Sequence, residues 1–283
     1  MVQQLQEIYT SSNYEALVRR HLTMGEATDD CRAHYLNYEL NLSERSTRFY
    51  EMFQSLIHKQ GWQIPDDKLA LDLGCGTGTG LQVLAKDFEH VVGVDIKMSS
   101  LLIAKKFLEE SNIQNVTLIH ASAHKLPFDK EQFDFAMSIN VLEHVFTPDT
   151  MLREMAAVLK SGGVFCGDSR NRYDLFFPEP HVKLRWVGFL PRQWMEPYVR
   201  WRLGVGYDHT YLLSYHDLKS ALREAFDTST IVDNQWAIAF PNVTAYGVSP
   251  TIQQQLSPIL KLSLIQPFLL HIFPSHIALA RKG

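Results

Sequence analysis

Cysteine is nearly absent from this chain of 283 residues. Cys31, Cys75 and Cys166 are far apart and odd in number, and no C-x-x-C pair occurs. That argues against a zinc ribbon and a disulfide framework, and it fits a reducing cytoplasm. A long hydrophobic run is missing too. Residues 262–280 come nearest: they carry no Asp, Glu, Lys or Arg, but Pro267 and Pro274 interrupt them. A membrane span needs about 20 continuous apolar residues. The opening residues, MVQQLQEIYTSSNYEALVRR, have neither the basic start nor the apolar stretch of a secretory signal, so a cytoplasmic location is expected. Charge of one sign is not in excess. The 27 basic and 31 acidic residues leave −4, which makes the whole molecule no obvious binder of polyanions. Internal repeats and low-complexity tracts are lacking as well.

What is present is an ordinary globular composition, 46% apolar and 20% charged. At this mass folding buries roughly 74% of the extended surface, so the core needs no disulfide or metal staple. Residues 1–62 read as helices, with Leu42, Phe49, Met52, Phe53, Leu56 and Ile57 at helical spacing. After Gly61 and Pro65 the texture changes. Apolar runs at 69–73, 91–94, 116–119, 133–139 and 164–167 read as strands, with helices over about 79–87, 99–110 and 149–159. Such alternation predicts an α/β fold whose parallel sheet is covered by helices on both faces. The alternation stops at Asp168, and residues 169–213 are aromatic and basic with no clean period. Ser214 is placed to N-cap a helix running to about Phe226. Residues 228–232 and 277–281 read as a sixth and a seventh strand. Between them, residues 234–275 hold a single charged side chain, Lys261. The expected organisation is helices at 1–62, a core at 63–168, an insertion at 169–213, and the rest of the core with a hydrophobic insertion at 214–283.

The most informative segment is LDLGCGTGTG at 71–80. A buried strand runs into three alternate glycines and then directly into a helix, a turn that brings backbone close to a ligand. The dinucleotide fingerprint Gly-x-Gly-x-x-Gly/Ala fails here, because its sixth position falls on Thr79 in one register and Leu81 in the other. The segment instead resembles motif I of class I S-adenosylmethionine-dependent methyltransferases, type 11-like. The resemblance continues in order. Asp95 ends the second strand 17 residues after Gly78, where that family binds the ribose hydroxyls. HASAHKLPFDKEQFDFAMSINVLEHV (120–145) and VLKSGGVF (158–165) resemble its later blocks. Together these matches cover about residues 68–168. They imply a Rossmann-like, seven-stranded, mostly parallel sheet with S-adenosyl-L-methionine as cofactor. The cofactor would be held by Asp72, Gly74, Cys75, Gly76, Gly78, Asp95, Ile96, Ser122, Ala123 and Asn140. Many relatives have Asp where this chain has Ser122, so its hold on the adenine amino group is expected to be weaker.

The resemblance also implies methyl transfer to an oxygen or nitrogen of a small molecule or polar conjugate, of natural-product or glycan type. The rival is a catalytically silent cofactor-binding protein that serves assembly or regulation, but the retained glycines and ribose acid weigh against it. His144 follows the fourth strand as a candidate general base; alternatively Glu143 and His144 shape the cofactor pocket or cap the next helix. His120 and His124 are separated by a strand end and a turn, so no metal is expected. Residues 170–202 carry seven basic and three acidic side chains and eight aromatics. Arg and Trp together suit an anionic or flat polar ligand, and the candidates for contacting the acceptor are Arg170, Arg172, Tyr173, His181 and Trp186. The other reading is an amphipathic cap whose aromatics pack on the core while its arginines are solvated. PEPHVKLRWVGFLP (178–191) resembles a block of bacterial methyltransferases of glycan or natural-product pathways. Nucleic acid is disfavoured, since no Asn/Asp-Pro-Pro-Tyr/Phe follows the fourth strand. The N-terminal helices, with Tyr9, Tyr14, His21 and Tyr35, are expected to act as a lid. Three fates remain for the apolar tail around Leu264 and Phe268: core packing, which is favoured, a homodimer interface, or a membrane surface.

Overall fold

The computed structural model describes residues 9–10, 12–23, 42–65, 68–208, 210–233 and 270–283. Leu264 and Phe268 of the apolar tail, and Tyr35, lie outside the described residues. In chain order the elements are α1 (Tyr14–Thr23), α2 (Leu42–Lys59), β1 (Leu69–Leu73), α3 (Thr79–Leu84), β2 (His90–Asp95), α4 (Met98–Glu110) and β3 (Val116–His120). They continue with β4 (Phe133–Ser138), α5 (Pro148–Val158), β5 (Leu159–Arg170), α6 (Arg192–Leu203), α7 (Tyr215–Ala225), β6 (Thr228–Asp233) and β7 (Ser275–Arg281). The seven strands have the order β3-β2-β1-β4-β5-β7-β6, a Rossmann-like arrangement. β1 runs parallel to β2 and to β4, and β2 parallel to β3, while β6 and β7 are antiparallel. Two compact units divide the chain: Met1–Ser138 with Ala157–Val164, and Ile139–Ala156 with Phe165–Gly283.

In the first unit, β1 is apolar except at Asp72 because both its faces are covered: Ala70, Leu71 and Leu73 are all buried. β1 pairs Leu73 with Val94 of β2 and Leu71 with Ala136 of β4. Chain order therefore reverses across β1, the switch point beside which open α/β sheets bind ligands at their carboxyl ends. α2 buries Phe49, Tyr50, Met52, Phe53, Leu56 and Ile57, the stripe its sequence period predicts. Its hydroxyl face also reaches α3, where Ser46 Oγ lies 3.1 Å from Thr79 Oγ1. α1 sits on α4: Leu17 and Val18 are buried with Ile103, and the rings of Tyr14 and Phe107 are 4.9 Å apart.

In the second unit, Ser214 closes a capping box. Its hydroxyl accepts from Asp217 N at 3.2 Å, and Asp217 Oδ2 accepts from Ser214 N at 3.0 Å. β6 pairs Thr228 with Arg281 and Asp233 with His276. Two features differ from the sequence reading. β5 begins at Leu159, passing through Gly162 at φ 81°, ahead of the strand expected over 164–167. The aperiodic stretch 169–213 contains α6. Its pattern was hidden because it carries two apolar stripes. Met195 and Val199 are buried with Val182, Val187 and Tyr207, whereas Trp194 and Trp201 are exposed. A helix apolar on two sides has no single face for periodicity to detect, and Pro197 within it reads as a breaker. The cap's tryptophans thus do not pack on the core: Trp186, Trp194 and Trp201 are 59%, 59% and 76% exposed.

Candidate active site

The glycine turn lies in the first unit, between β1 and α3. Gly74, Gly76 and Gly78 have φ of 78°, 52° and 94°, all in the left-handed region that strains a residue with a Cβ. Two of them do separate work. A Cβ on Gly78 would come within 2.9 Å of Ala104 Cβ on α4, so this glycine serves close packing. A Cβ on Gly76 would meet nothing nearer than Gly74 O at 4.0 Å, which leaves open space above that backbone. The turn is fixed from beneath by Val94 O, which accepts from Gly74 N at 2.7 Å and Cys75 N at 3.0 Å.

Asp95 ends β2 and is anchored by both carboxylate oxygens. Oδ2 accepts from Gly76 N at 3.0 Å and Oδ1 from Lys97 N at 2.7 Å. Each oxygen keeps acceptor capacity for a diol. Ile96 next to it is exposed. Asp72 is buried at the end of β1, and a Cβ on Gly80 would stand 2.6 Å from its Oδ2. Burial, and then the charge of Asp95, push its pKa up to about 7. Cys75 is buried, and burial together with Asp72 and Asp95 raises its thiol well above its ordinary value, so it packs as a small apolar group. Ser122 is held in its own turn: its Oγ accepts from His124 N at 3.3 Å and lies 3.3 Å from His124 Nδ1. Ala123 lies in this turn, half-buried. His120 Nε2 is 2.8 Å from Ile96 O. Among the described residues no group of three or more His, Cys, Asp or Glu could hold a metal ion.

Asn140, Glu143, His144 and the cap residues lie in the second unit. Asn140 adopts φ 55°, a strained setting that asparagine tolerates; its N–H donates to buried Asp168 Oδ1 at 2.6 Å. In the next turn neighbours diverge. Glu143 is buried, whereas His144 is exposed. The His144 ring meets that of His181 edge to face at 4.9 Å, and His181 Nδ1 is 2.5 Å from Glu179 Oε1. The other Glu179 oxygen accepts from His181 N and Val182 N at 2.8 and 2.9 Å. Burial alone would lower the His181 pKa, but the bond to Glu179 and the charges of Glu179 and Glu143 outweigh it and raise the value. Glu143 Oε2 has no hydrogen-bond partner among the described residues, and burial raises its pKa despite His181 and Arg170.

The arginines proposed for the acceptor have partners within the unit. Arg170 is buried and pairs with Asp174 Oδ2 at 3.0 Å. Arg172 donates to Gly188 O at 2.9 Å and Leu190 O at 3.0 Å. Tyr173 packs its ring 5.3 Å from Phe189. Sequence reasoning passed over Asp168, Asp174 and Glu179. Only Glu179 left a signal, a carboxylate two residues before His181 between two prolines.

A family model described as a methyltransferase domain matches residues 71–167. A ubiquinone biosynthesis O-methyltransferase of Maricaulis maris is 33% identical over 124 residues, 43% of this chain and 48% of that one. Its counterpart in Ruegeria pomeroyi is 29% identical over 191 residues, 65% of this chain and 72% of the relative. The chain thus spans about half the length of the Maricaulis relative. Geranyl diphosphate C-methyltransferase from Streptomyces coelicolor, crystallised with Mg2+, geranyl diphosphate and S-adenosyl-L-homocysteine, shares the fold. The TM-score is 0.53 at 17% identity, over 83% of this chain and 78% of that one. No helix among the described residues is long and apolar enough to cross a membrane.

Proposed function

We propose that this chain, whose residues 71–167 match a methyltransferase-domain family model, is a class I S-adenosylmethionine-dependent methyltransferase and transfers a methyl group from S-adenosyl-L-methionine to an oxygen of a hydroxylated, flat small molecule. The observation that carries the cofactor half is the pairing of an open Gly76 backbone with a doubly anchored Asp95. A carboxylate held by two amides is preorganised to accept from two vicinal hydroxyls, and a glycine with free space above it lets a ligand lie on the backbone. The residues present therefore fit the cofactor. Asp95 and Gly76 would hold its ribose end, with Ile96, Ser122 and Ala123 as further contacts. When bound, the cofactor supplies an electrophilic methyl group on a sulfonium.

What this chain must add is alignment, exclusion of water and removal of the acceptor's proton. The relatives named as O-methyltransferases support an oxygen acceptor. Among oxygen acceptors the imidazole pair favours a hydroxyl over a carboxylate: a phenol-like hydroxyl, with a pKa near 10, needs a base, as an ammonium also would, whereas a carboxylate needs none. His144 is exposed to take that proton, and Glu179 holds His181 against it. Arg170 and Arg172 already have intramolecular partners, which weighs against an anionic group as the main anchor of the acceptor. A polar conjugate of natural-product or glycan type remains within the class if it presents such a hydroxyl.

Two measurements test this. Calorimetry should show S-adenosylhomocysteine binding to the wild type and its loss in Gly76→Val, whose added Cβ branches fill the open space at φ 52°. Transfer of labelled methyl from the donor to a panel of hydroxylated aromatics should exceed transfer to amines. Absence of binding in the wild type would overturn the cofactor half, and amine-only transfer the oxygen half.

A further inference from the structure

α6 has an inner and an outer apolar face. The inner one, Met195 and Val199, is covered within the cap's own small core. The outer one consists of Trp194 and Trp201 at i and i+7; Tyr198 between them is half-buried and packs against the inner cluster. Trp194 is 59% and Trp201 76% exposed, and the Tyr198 and Trp201 rings are 6.2 Å apart. The inner face is already satisfied, so the outer rings are not displaced core. Arginines flank this stripe: Arg200 and Arg202 are exposed, Arg200 pairs with Glu196 Oε1 at 2.5 Å, and the Arg202 guanidinium lies 5.7 Å from the Trp201 ring. Charge is distributed unevenly along the chain. Residues 183–203 hold five basic side chains and one acidic, a balance of +4, whereas the whole chain carries −4 and the remainder therefore −8.

We propose that the outer face of α6 docks on the headgroup region of an anionic lipid bilayer. Three observations favour that occupant over a protein partner. Tryptophan and tyrosine prefer the level of the headgroups, where a ring sits among acyl chains and its N–H or O–H stays wet. Arg202 beside them can keep its stem on apolar surface while its head reaches phosphate. The segment 183–203 carries +4 while the remainder carries −8, so an anionic surface attracts this segment while the rest of the chain is on balance repelled. A helix of 12 residues is far too short to span, so it would lie in the plane of the surface. Each cation near such a surface raises partitioning roughly fivefold. The inference stands apart from the proposed acceptor and does not depend on catalysis.

Vesicle co-sedimentation tests it. The full chain should bind vesicles of phosphatidylglycerol and phosphatidylcholine with a blue shift of tryptophan emission, and bind pure phosphatidylcholine at least tenfold more weakly. Trp194→Ser with Trp201→Ser should cut anionic-vesicle binding tenfold or more with an unchanged circular dichroism spectrum. Should that variant not fold, Arg200→Glu with Arg202→Glu should still remove the preference for anionic lipid. No binding by the wild type, or binding that neither pair of substitutions weakens, would overturn the proposal. So would a wild-type dimer that the tryptophan variant dissociates without any change in vesicle binding, because that outcome makes the stripe a protein interface.

Discussion

The amide of Gly76 donates to Asp95 Oδ2 across 3.0 Å, which ties the glycine turn after β1 to the end of β2. Neither residue would be in place without the other. The turn presents its backbone because the carboxylate holds it, and the carboxylate is aimed because the turn and Lys97 N fix both its oxygens.

Asp95→Asn retains the size of the side chain but turns one acceptor into a donor. Losing charged hydrogen bonds to a diol costs about 1.5–3 kcal/mol, so S-adenosylhomocysteine affinity should fall roughly 10- to 150-fold by calorimetry. An unchanged affinity would mean that the carboxylate only supports the turn.

His144→Ala is expected to lower turnover roughly 10²–10⁴-fold with cofactor affinity nearly intact. Glu179→Gln removes the partner that raises the His181 pKa, so any basic limb of the rate profile set by His181 should shift to lower pH. Parallel losses of cofactor binding and turnover in His144→Ala would instead assign His144 to shaping the pocket.

Asp72 imposes a pH dependence on stability. Its native pKa of about 7 lies above its ordinary 3.8, so the native state prefers the proton. The stabilising contribution is complete below about pH 3.8 and is lost as pH rises through 7, on the order of 4 kcal/mol in all. Asp72→Asn should remove this slope and be more stable than the wild type at pH 8 in urea unfolding. A slope that persists in the variant would place its origin elsewhere.

His276 acts in the opposite direction. It is buried, its Nε2 lies 2.7 Å from Leu270 O, and burial first of all lowers its pKa to about 4. The neutral ring is therefore the native form. Stability is complete above the ordinary value of 6.5 and is lost as pH falls towards 4, on the order of 3 kcal/mol. His276→Gln should flatten the acid side of the stability profile, as read by thermal unfolding between pH 4 and 7.

α1 carries the remaining prediction. Val18 is buried against Ile103 of α4, so Val18→Asp should cost about 2–4 kcal/mol of stability, which a lowered denaturant midpoint reports. Deleting residues 1–25 should cost at least as much. Turnover lost at temperatures where the truncated chain stays folded would show that α1 is a lid as well as a packed helix.

Local chemistry made much of this protein legible. Strand apolarity, the alternation with helices, the Ser214 cap and the spacing of Gly74, Gly76, Gly78 and Asp95 are all properties of neighbours along the chain. Steric rules for φ, side-chain period and capping act over a few residues, so those elements appear in the linear order itself. The parts that escaped depend on residues brought together from a distance. Burial of Glu143 beside exposed His144, the clasp of Glu179 on His181, the pairing of Arg170 with Asp174 and the anchoring of Arg172 on two carbonyls all follow from how loops close. Desolvation and Coulomb terms there depend on three-dimensional distance and have no period. α6 shows the boundary most clearly. Its composition announced tryptophan and arginine, but only packing decided that Met195 and Val199 face inward and that Trp194 and Trp201 face out. A helix has one core to cover, and two apolar stripes compete for it until the surrounding chain fills one side.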